Sequence, residues 1–375
     1  MRVLVVSGIW PPDVGGPASH APEVAGFLRS RGHDVEVVVT AVRAPAPQGY
    51  PVRWTSRRLP KGPRHLHSAA LVARLARRAD VVYTTGMFAR SALGARLAHR
   101  PYVVKLTGDP AFERLRARGT VGGTVEEFQE AGGLQARALG ALRGSVLRGA
   151  AHVYCPSEYL RLLVLEWGVD PAHTGVLPNP APKPPAFGDR DDLRRRYGFD
   201  GVALAFAGRL TAQKSLPVLL EAVGRAEGVT LAIAGEGPEQ GAVEAGVRRL
   251  GLGDRVRLLG PLSRDAVLEL FHAADGTVLS SGWENFPHSV VESLAVGTPV
   301  VATAVGGVAE VVRDGENGLL VPPGDPDALA EAIRSFAGDA KLRRRLRGAA
   351  APSVASYGVD VLFADLEETL QRVVR

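Results

Sequence analysis

The sequence predicts an α/β chain of two doubly wound, Rossmann-like parallel-sheet domains facing a central cleft. Three observations carry that prediction. Short β-branched runs alternate with longer Ala-, Leu- and Arg-rich stretches of helical period, the pattern of parallel βα units. The alternation runs through the chain twice. Between the two series lies a proline-rich stretch, 178–185, whose missing N–H donors disfavour a strand or helix interior.

In the first series RVLVV (2–6), VEVVV (35–39), VVYTT (81–85), YVVKL (102–106) and HVYC (152–155) read as buried parallel strands. Helical period appears at 18–30, 66–78 and 133–148. The second series holds VALAFAG (202–208), VTLAIAG (229–235), VRLLG (256–260), GTVLSS (276–281) and PVVAT (299–303) as strands. Its helices fall at 216–226, 240–250, 264–273 and 287–295. The expected division is a first domain over 1–180, a linker over 181–200 and a second domain over 201–355. An amphipathic helix within 356–375 is expected to pack back on the first domain. Two such sheets would place ligands at the carboxyl ends of their strands, with closure about residues 178–188 assembling the site.

The 375 residues are 46% hydrophobic and 22% charged, which fits a globular protein and neither disorder nor a fibrous repeat. The apolar run near Met1 is shorter than the roughly seven residues of a secretory core, and no stretch nears ~20 apolar residues. Cys155 is the single cysteine, so an internal disulfide and a cysteine-built zinc site are excluded. The expected location is cytoplasmic, with the inner membrane surface as a peripheral alternative. Charge is uneven: residues 1–180 hold 23 Lys/Arg against 13 Asp/Glu, the remainder 22 against 26. Much of the excess lies at Arg53, Arg57, Arg58, Lys61, Arg64, Arg74, Arg77 and Arg78, beside Trp54. This segment reads either as a solvated helix face or as a contact for anionic lipid head groups or an acidic acceptor. No nucleic-acid-binding motif accompanies it.

Three stretches carry candidate chemistry. In SSGWENFPHSVVESLAVGTPVVATAVGG (280–307), Glu284 precedes a helix opened by Pro287, and Glu292 lies two turns inside it. Amides from Asn285 and Phe286 onward offer a partial positive charge to an anion. A loop carboxylate there can accept from sugar hydroxyls, and one further along can accept from a ribose diol. In Phe206-Ala-Gly-Arg-Leu-Thr-Ala-Gln-Lys, Gly208 permits close backbone approach, while Arg209 and Lys214 bring two cations to a strand end. Such cations stabilise a departing diphosphate without a metal. Third, Gly15 and Gly16, after the first strand, would let backbone amides approach a phosphate or sugar; the spacing is not that of a dinucleotide site.

The stretch from Leu279 to Pro323, with Glu-Asn-Phe-Pro, Val-Val-Glu-Ser-Leu-Ala, Gly-Thr-Pro-Val-Val-Ala-Thr and Gly306-Gly307 in order, resembles the family 4 glycosyltransferases. The resemblance implies the two-domain GT-B fold and retaining transfer from a nucleotide diphosphate sugar, with no metal or other cofactor. It implies diphosphate contacts at Arg209 and Lys214. It places base and ribose contacts near Gly235-Glu236 and Leu262, and gives the first domain to a hydroxyl-bearing acceptor. Many relatives carry histidines at two strand ends of that domain. This chain has Tyr83-Thr-Thr-Gly-Met and Lys105-Leu-Thr-Gly-Asp109 there instead. Asp109 reads as a sugar or acceptor contact, or else as a helix-capping aspartate before Pro110. The histidines show no metal-ligand spacing. The expected roles are catalytic for Glu284 and Asp109, and donor-binding for Gly15, Gly16, Gly208, Arg209, Lys214, Glu236, Leu262, Asn285, Phe286, Pro287 and Glu292. A sugar-nucleotide epimerase of the same fold, or a non-catalytic nucleotide-sugar-binding subunit, is the alternative.

Overall fold

The computed structural model describes residues 1–13, 16–116, 128 and 133–375. They form two compact units, residues 1–179 with 360–375, and residues 180–359.

The first unit is a parallel seven-stranded sheet. In chain order its strands are β1 (Arg2–Ser7), β2 (Asp34–Ala41), β3 (Val52–Ser56), β4 (Val81–Thr84), β5 (Tyr102–Lys105), β6 (His152–Cys155) and β7 (Thr174–Val176). Their spatial order is β3-β2-β1-β4-β5-β6-β7, so the winding reverses between β1 and β4. β1, β4, β5 and β6 are buried almost throughout, as their unbroken Val-rich runs require of a sheet covered on both faces.

The last helix, Val359–Val374, enters this unit from the far end of the chain. Phe363, Leu366 and Leu370 are fully buried at helical spacing. The Phe363 ring meets His20 and Phe27 edge-on at 5.5 and 5.6 Å. Glu367 accepts from His33 Nε2 at 2.7 Å and Arg31 Nε at 3.0 Å. Burial pushes that carboxyl up, but these two hydrogen bonds outweigh it and hold it below its ordinary range. The Tyr154 hydroxyl lies 2.9 Å from Asp365 Oδ2 and 2.8 Å from Thr369 Oγ1.

The second unit repeats the design with β8 (Val202–Ala207), β9 (Val229–Ala234), β10 (Val256–Gly260), β11 (Gly276–Leu279), β12 (Val300–Thr303) and β13 (Gly318–Val321). The order is β10-β9-β8-β11-β12-β13, all parallel. β8 shows how sequence period builds two layers. Leu204 and Phe206 point into a core with Leu219, Ile233 and Phe336, whereas Ala203 and Ala205 meet Phe271 and Leu268 on the opposite face. Each fully buried Leu or Phe contributes roughly 1.5–3 kcal/mol by leaving water.

Residues 181–200, read above as linker, are integrated in this unit. Ala181 N donates to Tyr357 O at 2.9 Å, and Phe187 stacks on His272 at 4.3 Å. Arg190–Tyr197 is a helix capped by Asp189; its Arg190 and Arg194 pair with Asp275 at 2.9 and 3.0 Å. Proline withholds hydrogen-bond donors but still packs, so a proline-rich stretch is no guarantee of a free connector.

Candidate functional site

The candidate site lies at the carboxyl edge of the second sheet. There the loops after β8, β9 and β10 stack backbone on backbone. Gly208 N donates to Ala234 O at 3.0 Å, Gly235 N to Gly260 O at 2.8 Å, and Leu210 N to Glu236 O at 3.0 Å. Gly235 holds φ +141, and a Cβ there would stand 1.9 Å from the Gly208 carbonyl oxygen. A Cβ on Gly237 would stand 2.3 Å from Leu210 O. Only glycine allows this approach.

The loop after β8 is then joined to the loop after β11. Gly282 N donates to Gln213 O at 2.8 Å, Gln213 Nε2 to Trp283 O at 2.9 Å, and Ser280 Oγ to Lys214 O at 2.7 Å. Thr303 Oγ1, at the end of β12, donates to Ser281 O at 2.7 Å. The joined loops bring Lys214 Nζ to 2.5 Å from Glu284 Oε1, which also accepts from Ser281 Oγ at 2.7 Å. Glu284 is buried and Lys214 nearly so. A buried carboxylate with a charged and a hydroxyl donor is held in one orientation.

The other predicted residues of this unit lie on the loops after β8, β9, β10 and β11 and on the helix that follows β11. Gly208 is half-buried and Arg209 exposed at the same strand end. Glu236 is exposed, and Leu262 packs against the core beneath β10. Phe286 faces inward onto Leu279, Val290 and Leu294, so its backbone rather than its ring is available to a ligand. Pro287 is buried, Asn285 half-buried, and the helix His288–Ala295 that follows has no side-chain cap at its N-terminus. Glu292, inside that helix, lies 3.4 Å from Arg264 Nε.

In the first unit Gly15 lies outside the described residues, and Gly16 opens the helix Gly16–Ser30. Asp109 is fully buried; it accepts from Ala111 N at 2.8 Å, at the start of the helix Pro110–Arg116, and pairs with Arg143. Burial raises its carboxyl above the ordinary value, and the Arg143 charge opposes that only in part. The Arg143 guanidinium lies 3.6 Å over the Trp167 ring. The carboxylate thus has capping and ion-pair partners within its own unit.

Two buried groups gave no sequence signal. His20 Nε2 lies 2.7 Å from the Tyr83 hydroxyl. Lys105 is wholly buried, donates to the Leu177 carbonyl, and is pushed down by burial to about 7. Among the described residues, no three His, Cys, Asp or Glu side chains could hold a metal ion. None of the described helices is long and apolar enough to cross a membrane.

Residues 15–180 match the family model described as glycosyl transferase 4-like domain, and 189–351 that described as glycosyl transferases group 1. Among curated relatives, a D-inositol 3-phosphate glycosyltransferase of Geodermatophilus obscurus is 37% identical over 198 residues, 48% of this chain and 43% of that protein. An alpha-D-kanosaminyltransferase of Streptomyces kanamyceticus is 31% identical over 44% of this chain and 45% of its own length. The matches thus span about half the length of these relatives, or less. Among solved structures, HepE of Anabaena in complex with UDP superposes at TM-score 0.82 and 22% identity, over 99% of this chain and 100% of that one. Sucrose-phosphate synthase of Thermosynechococcus elongatus superposes at 0.81 and 19% identity, over 99% and 98%.

Proposed function

The chain belongs to the family 4 glycosyltransferases of GT-B fold, and on that premise we propose that it moves a hexosyl group from a nucleoside diphosphate sugar to an acceptor hydroxyl with retention. The observation that carries this reading is the Lys214–Glu284 pair, 2.5 Å apart across two joined strand-end loops. It sets a cation for the diphosphate beside a carboxylate for the sugar. With donor bound, Lys214 and Arg209 turn to the diphosphate oxygens. Glu284, oriented by Ser281, then accepts from sugar hydroxyls. Amides at Asn285–Phe286 and the uncapped helix behind Pro287 add positive potential, and Glu292 takes the ribose hydroxyls.

In the reaction the bond from the anomeric carbon to the diphosphate oxygen breaks as the acceptor oxygen approaches on the same face. The acceptor's proton passes to the departing diphosphate, so no protein base is required. The chain contributes position and charge stabilisation, and the cations Arg209 and Lys214 serve where a metal would otherwise neutralise the leaving group. HepE has been crystallised with UDP and with UDP-glucose, which makes UDP-glucose the first donor to test. Of the curated relatives, the D-inositol 3-phosphate glycosyltransferase supports a cyclitol acceptor by its name, and the alpha-D-kanosaminyltransferase adds an amino sugar to the glycosyl groups to test on the donor side.

Incubation with labelled UDP-, GDP-, ADP- and dTDP-sugars, with and without a chelator, tests the reading. Release of nucleoside diphosphate matched by a glycosylated acceptor supports it. Tight binding of a nucleotide sugar with no turnover on any cyclitol, sugar or glycolipid acceptor would sink it.

A further inference from the structure

A second group of cations lies in the first unit, on residues other than those assigned above to the donor. Three of its helices, Lys61–Ala76 after β3, Phe88–Leu97 after β4 and Pro110–Arg116 after β5, begin at the carboxyl edge of that sheet. Within their first five residues these helices carry Lys61, Arg64, His65, Arg90 and Arg114, with Glu113 in the first turn of the third. The partners holding these side chains are neutral. Arg90 Nη1 donates to Ser68 Oγ at 2.9 Å, Ser68 Oγ donates to Arg64 O at 2.7 Å, and Arg64 Nη1 donates to Arg57 O at 3.0 Å.

The charges acting on the group are of its own sign. Burial, then Arg64 and Arg114, press the Arg90 guanidinium down to about 10. Burial, then Arg90, Arg64, Arg114 and Lys61, lower His65. Arg57, the next cation, is already paired with Asp13. The charge that acts on Glu113, beside Arg114, is Asp109 rather than this group. Among the described residues Lys61, Arg64, Arg90 and Arg114 have no ion pair. Neither Lys61–Ala76 nor Phe88–Leu97 has an acidic residue in its first turn or a capping side chain, so their N-terminal dipoles add to the same potential.

Like charges gathered without a counter-ion cost free energy that a bound anion returns. Several guanidinium forks beside helix N-termini match the geometry and charge of a phosphate. We propose that Arg64, Arg90 and Arg114, with Lys61 at the rim, bind a phosphoryl group at the carboxyl edge of the first sheet. That the acceptor carries this group rests on the transferase reading above; binding of the group itself does not.

The test titrates the full chain with inorganic phosphate and glycerol 3-phosphate by calorimetry. In parallel, the chain is sedimented with phosphatidylcholine vesicles with and without phosphatidylglycerol. The wild type is expected to bind at least one of these anions, and Arg64→Gln and Arg114→Gln each to weaken that binding by about tenfold or more. Preference for glycerol 3-phosphate assigns the site to a soluble ester, preference for the anionic vesicles to a lipid head group. Arg248→Gln, which removes an exposed cation of the second unit, is expected to leave the affinity within about twofold. Failure of the wild type to bind any of the probes overturns the proposal. So does unchanged affinity in both the Arg64 and Arg114 variants, or an equal loss in the Arg248 variant. UDP binding, measured on the same samples, reports on the donor site separately.

Discussion

At the scale of single residues, the proposed mechanism divides labour between two side chains that touch. Glu284→Gln keeps the shape and the Ser281 contact but loses the charge that sugar hydroxyls would meet. It is expected to lower kcat by about 100-fold or more while nucleoside diphosphate affinity stays within a few-fold. Lys214→Ala removes the cation and should weaken diphosphate binding by about tenfold or more. Steady-state kinetics and calorimetry together separate the two, and equal small effects from both variants would defeat the assignment. Lys105 gives a pH prediction. Burial drops its ammonium from the ordinary 10.5 to about 7, so between those values the unfolded chain binds more protons than the folded one. Stability must therefore rise with pH across that window, by on the order of a few kcal/mol. Lys105→Met is expected to flatten that rise, which thermal unfolding at pH 7, 8 and 9 would show; an identical slope in the variant counts against a buried amine that has lost its proton in this window.

Among the elements, the donor edge depends on loops stacked too closely for any side chain. Gly235→Ala sets a methyl against the Gly208 carbonyl and forces an unfavourable φ. A loss of roughly 3 kcal/mol or more, together with loss of nucleotide binding, is expected from denaturant titration and calorimetry. Which elements could be read from sequence follows from burial. β1, β2, β8 and β9 are long β-branched or Ala/Leu runs covered on both sides, and these the sequence displays. β3 is Val-Arg-Trp-Thr-Ser at a sheet edge with only Thr55 buried, β7 has three residues, and β13 opens on glycine, so none shows a buried-strand run. Helix Arg190–Tyr197 buries only Leu193 and Tyr197, too few to reveal a period. At the site, residue identities were legible because a long motif resembles a family. Their mutual contacts were not, because Gln213, Ser280 and Thr303 act through backbone carbonyls that no residue pattern encodes. Nor could spacing choose between the two readings of Asp109, since Arg143 lies 34 positions away and meets it only through tertiary packing.

For the whole molecule, the feature with most reach is that the first unit is made from both ends of the described chain. Glu367→Ala leaves His33 and Arg31 without their carboxylate. It is expected to cost about 1–3 kcal/mol, seen as a lower unfolding midpoint for the first unit with nucleotide binding to the second unchanged. A midpoint equal to wild type would show that apolar burial of Phe363, Leu366 and Leu370 alone seats the helix. The arrangement also sets an order of events during synthesis. The second unit is one contiguous run and can complete itself as it leaves the ribosome. The first has all seven strands by residue 179, yet its Phe27 and Tyr154 surfaces wait for a helix translated after the entire second unit. The half translated first is therefore the half finished last. For that interval its apolar seat is the nascent chain's exposed liability, lengthened by anything that slows elongation through residues 180–359.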